Sequence, residues 1–358
     1  MYDMVINYGT DIFRVTYEAL ENSSLASFLK KDAEVMIKPN MVMAKPPSSG
    51  ATTHAEVVAA IIEFLRNIGV TKIKIAESAS VGENTKAVYR ICGFDNLFSK
   101  YGVELVDLKQ TKTKTVKTGD LAMEIYEEAL NAEFIINVPV LKAHCQTNLT
   151  CNMKNLKGLI PDSEKRRFHS LGLHKPIAVL NKAVKTSFCV VDGICGDINF
   201  EEGGNPIERN MIIAAADPVL ADSYCASLLG YEAKEIGYLK LADEMALGKL
   251  FDNSAKILEL NADKKPQVKP ANSAIVKKLS AMTDEKDACS VCYSALICAL
   301  HKEGLTFSGD KKIKIGQGFR GKGGEGIGVG NCTKGFSKNL KGCPPKANEV
   351  AKFLRNAV

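Results

Sequence analysis

Short apolar runs alternate with longer amphipathic stretches along most of this chain. Residues 33–38, 72–76, 103–107, 134–138, 187–191 and 211–215 are rich in β-branched side chains, the pattern of strands buried on both faces. Between them, residues 54–67 set Val57, Ala60, Ile61 and Phe64 at helical spacing and then meet Gly69, a helix stop. Thr53 is the expected N-cap of that helix, with Glu56 completing a capping box. This rhythm predicts an α/β fold: a mostly parallel sheet with flanking helices, plus a small C-terminal cysteine-rich cluster-binding module. Binding residues are expected where loops leave the carboxyl ends of the strands. Residues 261–278, with Lys264-Lys265-Pro266 and Lys269-Pro270, read as a linker. The expected organisation is therefore a substrate- or anion-binding α/β domain over 1–260, a linker over 261–278, and an iron-sulfur module over 279–358. A linker of about eighteen residues lets the module fold back over the first domain, so its cysteines are expected to face the pocket.

Composition narrows the function. The net charge of +6 suits an anionic small molecule. It is dispersed and never interleaved with aromatics in a basic tract, so no nucleic-acid partner is expected. No run approaches the roughly eighteen apolar residues of a membrane span. The opening Met1-Tyr2-Asp3 starts neither a signal nor a transit peptide, and a cytoplasmic protein without a membrane partner is expected. Eleven cysteines in such a chain point to reduced thiols and metal ligation rather than disulfides.

Four of those cysteines form a ligand set: Cys289 and Cys292 as a Cys-x2-Cys step at the mouth of a helix, then Cys332, then Cys343 followed by Pro344-Pro345. Such a step presents two sulfurs to one ion or cluster, and two thiolates from later loops complete four-coordination. The Cys-Pro ending and the wide spacing of Cys332 and Cys343 favour one 4Fe-4S cluster, and zinc is the competing reading. The apparent Gly316-x-Gly318-x-x-Gly321 fingerprint reads as part of a glycine-rich loop around the cluster rather than a dinucleotide site. Cys298 falls on a stripe with Val291 and Ala295 of a helix over 288–301, pointing away from the pair. Cys92, Cys189, Cys195 and Cys225 read as core. Cys145 and Cys151 read as close to the cluster without ligating it, with a second metal site as the alternative.

The remaining chemistry gathers at expected strand ends. Lys38 and Asn40 close one strand and Glu77 the next, a cation, an amide and a carboxylate in one row. His54 stands at the start of a helix, and Asp192, Asp217 and Asp222 lie at or after later strand ends, with Asp217 before Pro218 reading as a helix cap. If residues 147–157 are helical, Thr147, Thr150, Cys151, Lys154 and Lys157 share a face, a poor core but a good pocket wall. His144 and His169 are the candidate general acid/base groups, with Lys142 beside them as a candidate catalytic cation.

Lys38-Pro-Asn40, Thr53-His54, Ala76-Glu77-Ser78, Asn137-Val-Pro-Val-Leu-Lys142-x-His144, Met153-Lys-Asn-Leu-Lys-Gly158, Phe168-His169 and Val191-Asp-Gly193 together resemble the prokaryotic iron-sulfur proteins catalogued as domain of unknown function 362. The resemblance implies a cluster module appended to the first domain. The C-terminal motifs depart from the two-cluster ferredoxin pattern. The leading expectation is an iron-sulfur oxidoreductase in which Lys38, Asn40, Lys142, His144, Lys154 and Lys157 hold an anionic substrate, served by a redox partner protein. Two alternatives stay open: an isomerase- or lyase-type enzyme with His144 or His169 as base and a structural or Lewis-acid cluster, and a ferredoxin-like electron carrier.

Overall fold

A computed structural model describes residues 2–201, 205–268 and 273–357. Its strands in chain order are Met4–Tyr8 (β1), Glu34–Pro39 (β2), Lys72–Glu77 (β3), Glu104–Asp107 (β4), Thr113–Thr118 (β5), Leu121–Tyr126 (β6), Phe134–Val138 (β7), Lys142–His144 (β8), Asn148–Thr150 (β9), Phe188–Asp197 (β10), Pro206–Ala215 (β11), Ile257–Leu260 (β12), Thr283–Glu285 (β13), Ile313–Ile315 (β14), Gly323–Val329 (β15) and Gly335–Leu340 (β16). Eight of them form one sheet in the order β12-β1-β11-β10-β7-β2-β3-β4. Only β11 runs against its neighbours; every other pairing is parallel.

Both faces of this sheet are covered. Met36, Val191, Met211 and Ile213 pack to one side, and Val35, Ile37, Val190, Ile212 and Ala214 to the other. That two-sided burial explains the unbroken apolar runs of the strands. The expected helix is Ala55–Asn67, and its Val57, Ile61 and Phe64 enter the second layer.

The start of that helix departs from expectation. Thr53 does not cap it: its Oγ1 donates to the Val138 carbonyl at 2.8 Å and accepts from Asn40 N at 2.8 Å, so the hydroxyl is spent joining strand ends. The buried Asp192 carboxylate takes the capping role, accepting from His54 N at 2.8 Å and from Ile194 N at 3.1 Å, with His54 Nδ1 at 2.9 Å. His54 and Asp192 therefore form a clasp inside the fold. Asp217 does cap its helix, accepting from Val219 N and Leu220 N, with Pro218 in the first turn.

The C-terminal module has its own parallel sheet, β13-β14-β15-β16. Leu296, Ile297 and Leu300 of the helix Ser290–Glu303 pack with Ile313, Ile315, Val350 and Leu354 to form its core. Within the glycine-rich stretch expected to be a loop around a cluster, residues 323–329 form strand β15, held extended by pairing to β14 and β16, while Gly316, Gly318 and Gly321 precede it outside any strand. The C-terminal part of the expected linker is also ordered, as the start of the helix Ser273–Ser280. Lys269 and Pro270 lie outside the described residues. The module folds back on the first domain, where Phe200 joins the module core and meets His301 in a tilted ring contact with centroids 5.0 Å apart.

Asp192→Ala should destabilise the fold by about 3 kcal/mol in urea unfolding, because two buried backbone N–H groups lose their acceptor. The clasp also has a pH signature. Burial alone lowers the His54 imidazole, but Asp192 more than offsets this and its pKa is raised. The clasp's contribution is full below the ordinary value of 6.5 and is lost as pH rises through the raised folded value. That pH dependence should vanish in Asp192→Ala, and its persistence would show that His54 is stabilised by another group.

Candidate functional site

The carboxyl ends of β2 and β3 deliver Lys38, Asn40 and Glu77 to one place. Lys38 Nζ meets Glu77 Oε2 at 2.6 Å, the Pro39 carbonyl at 2.9 Å and Asn155 Oδ1 at 3.0 Å, so all three ammonium donors are engaged. Asn155 is the hub beneath them. Its Nδ2 reaches Asn137 Oδ1 at 2.8 Å, and its Oδ1 also accepts from Asn40 Nδ2 at 2.7 Å. Gly158 closes this corner, since a Cβ there would lie 1.9 Å from Glu77 Oε1 and 2.6 Å from Lys38 Nζ.

Residues 147–157 are not one helix. His144 Nδ1 accepts from Gln146 N at 3.1 Å and Thr147 N at 3.0 Å, turning the chain into the β8/β9 hairpin, with Asn148 at φ 64°. The helix starts only at Asn152, where the buried Asp222 carboxylate accepts from Asn152 N at 2.7 Å and Met153 N at 2.9 Å. The expected hydroxyl, thiol and ammonium face is thereby split. Cys151 turns into the core, where burial and then a hydrogen bond with Cys225 push its thiol up. Cys145 instead lies 3.4 Å from Ser294 Oγ against the module, so the two thiols sit in different surroundings. Thr147 Oγ1 donates to the Leu149 carbonyl within the hairpin.

A cleft of about 80 Å³ opens between the carboxyl edge of the main sheet and the start of the helix Ser290–Glu303. Lys38, Asn40, Glu77, Lys154, Lys157 and His169 line it from the first domain, and Cys289, Ser290 and Val291 from the module. Lys142, His54, Asp192 and Thr147 do not line it. Lys142 is fully buried behind the wall, with Nζ 2.6 Å from the Ala51 carbonyl.

Sequence reasoning missed Glu201, which organises the far wall. Its carboxylate meets Lys154 Nζ at 2.7 Å and His144 Nε2 at 2.8 Å. No spacing rule marks a glutamate in the loop after a strand, which is why it went unseen. Ser290 was also missed; its Oγ is 3.2 Å from His144 Nε2 and 3.4 Å from His169 Nε2, and it donates to Gln146 Oε1 at 2.9 Å. Lys165 was the third omission, tied to Ser78 and Ala79 oxygens at 2.8–2.9 Å.

Burial sets the protonation states here. It pushes His144 down to about 4 and Lys165 down to about 8. Burial, then the neighbouring Lys154 ammonium, push Lys157 down to about 7. Burial and Lys157 hold His169 well below the ordinary histidine value. Burial raises Glu201, but His144 and Lys154 outweigh it and keep the group ionised. Because His144 Nδ1 already accepts two N–H groups, its proton sits on Nε2 toward Glu201.

The cysteines follow the same edge logic. Cys289, Cys332 and Cys343 come just after the carboxyl ends of β13, β15 and β16, and Cys292 sits in the first turn of the helix that Cys289 begins. Asn331 N donates to the Gly342 carbonyl at 2.9 Å and Asn331 Oδ1 accepts from Gly342 N at 2.9 Å, tying the Cys332 and Cys343 turns together. Arg320 donates to Cys332, and burial, then the nearby Cys332, push the Cys289 thiol up. Among the described residues, no three His, Cys, Asp or Glu side chains are gathered closely enough to hold a metal ion. The thiols share an edge but not a closed coordination sphere. Cys298 packs against the module core.

Residues 35–227, more than half of the 358-residue chain, match the family described as "Domain of unknown function (DUF362)". The chain belongs to this family. The family member is 24% identical over 230 residues to the "Thylakoid-associated protein sll1697" of Synechocystis sp., a match covering 62% of this chain and 71% of that one. Its structure is similar to that of a lactate racemase apoprotein from Thermoanaerobacterium thermosaccharolyticum, at a TM-score of 0.44 and 13% identity. That match spans 63% of this chain and 57% of the racemase chain. Among the described residues, no helix is long and apolar enough to cross a membrane.

Gly158→Ala should break the Lys38–Glu77 pair and cost about 3–5 kcal/mol in chemical unfolding, the penalty of a disrupted buried ion pair. A variant as stable as the parent would mean that the corner relaxes around the added methyl.

Proposed function

We propose that this DUF362 protein is an iron-sulfur redox protein of the cytoplasm, in which Cys289, Cys292, Cys332 and Cys343 hold one 4Fe-4S cluster beside a cleft for a small anionic substrate. The observation that carries the reading is the shared wall: Cys289 lines the same cleft as Lys154, Lys157 and His169. The chemistry of the donor set fits the group, and the four thiols would have to draw together to hold it. Four thiols follow the carboxyl edge of one small sheet, two of their turns are hydrogen-bonded together, and Arg320 offers positive charge to the sulfurs. When bound, such a cluster supplies one-electron transfer.

The chain's own residues do the rest. Lys157 attracts the anion. Lys154 is held against Glu201, and His144 orients that carboxylate through Nε2, so His144 is a positioning residue rather than the base. His169 Nε2, 3.4 Å from both Lys157 Nζ and Ser290 Oγ, is kept neutral by burial and accepts hydrogen bonds at the cleft wall. The eleven cysteines form no disulfide with one another, which suits a reducing compartment.

Anaerobically purified protein should carry about four iron and four acid-labile sulfide per chain. Alanine at Cys289, Cys292, Cys332 or Cys343 should abolish most of the brown chromophore, and Cys298→Ala should keep it. Stoichiometric zinc without sulfide would sink the reading, as would loss of colour in Cys298→Ala with retention in Cys332→Ala. Dithionite should produce a paramagnetic reduced cluster; a silent, unreduced centre would leave it structural.

A further inference from the structure

Three of the four lysines around the cleft are committed. Lys38, Lys154 and Lys165 are each buried and bonded to at least two oxygens within 3.1 Å. Lys157 differs, its recorded contact being His169 Nε2 at 3.4 Å. A second group in the cleft is unsatisfied in the opposite sense. Asn40, 4% exposed, lines the cleft, and its Oδ1 has no donor.

Its orientation is not adjustable. Lys38 Nζ can only donate, so the Asn155 oxygen must face it. Asn40 must then turn its Nδ2 to that same oxygen, which leaves its own oxygen over. An unpaired buried acceptor costs roughly 1–3 kcal/mol, so a donor from outside the chain, a water or a ligand group, is expected to meet it. Asn40 was read from the sequence as an anion contact; its free atom repels anions and accepts hydrogen bonds.

We propose that the cleft takes a small acid bearing a hydroxyl group: Asn40 Oδ1 accepts from the hydroxyl, and Lys157 Nζ pairs with the acid. An ammonium donor is disfavoured, because the four lysines of the cleft outnumber its two carboxylates, Glu77 and Glu201, which are already paired with Lys38 and Lys154. The small volume of the cleft, about 80 Å³, favours a small acid over a large one. The inference rests on the cleft of the proposed function and not on its cluster.

The test is calorimetric titration of full-length, anaerobically purified protein with glycolate and with acetate, which differ by the hydroxyl alone. Glycolate should bind at least about tenfold tighter. Lys157→Met should weaken both acids at least about tenfold by removing the cation. Asn40→Leu should erase the preference for glycolate. Should that variant fail to fold, Asn40→Asp serves instead: it keeps the acceptor and adds a repulsive charge, so both acids weaken while glycolate stays preferred. Equal binding of the two acids by the parent protein overturns the proposal, as does unchanged affinity in Lys157→Met. Glycolate preference in protein lacking iron and sulfide would refute the cluster alone. Equal acid binding beside an assembled cluster would refute only the hydroxy acid.

Discussion

The structure turns on the cost of burying lysine ammonium groups where strands end. An unpaired charge there costs several kcal/mol, so each buried cation must meet an oxygen from elsewhere in the chain. Lys38 draws in Glu77 from the neighbouring strand and Asn155 from a distant turn. Lys154 draws in Glu201 from the loop after β10. Lys165 draws in Ser78 and Ala79. These pairings pull five separate segments to one edge of the sheet, and the cleft is the space their side chains leave.

The cysteine module is coupled to that edge through polar contacts at the start of one helix. Ser290 stands next to Cys289 and faces both His144 and His169. Gln146 fixes the same turn by donating to the Ala288 carbonyl at 3.0 Å. On the other side of the seam, a Cβ on Gly82 would come within 3.1 Å of the Cys343 carbonyl, so this loop of the first domain needs glycine to receive the module. Any change that moves the cysteines is therefore felt in the cleft, and the reverse holds as well.

The α/β class, the main parallel strands and the helix Ala55–Asn67 were legible because their signals are local and periodic. The early strand β1 and the reversed strand β11 were missed or shortened, since pairing between residues some two hundred positions apart leaves no periodic trace. In the site, Lys38, Asn40, Glu77, Lys154, Lys157 and His169 were found from their places at strand ends and in motifs. Their roles were not legible. Whether a lysine is free or neutralised depends on partners such as Glu201 and Asn155, which only the fold brings near. Lys142 and His54 show the same limit in reverse: both have site-like chemistry, and both are consumed by structural bonds to Ala51 and Asp192.

The central claim is that cysteines and polar cleft form one site. Iron-edge anomalous diffraction from an anaerobically grown crystal tests it most directly. The account predicts a single iron peak bonded to Cys289, Cys292, Cys332 and Cys343, bordering the cavity that holds Lys157 and His169. Iron bound elsewhere, or a cluster separated from that cavity by solvent, would contradict it.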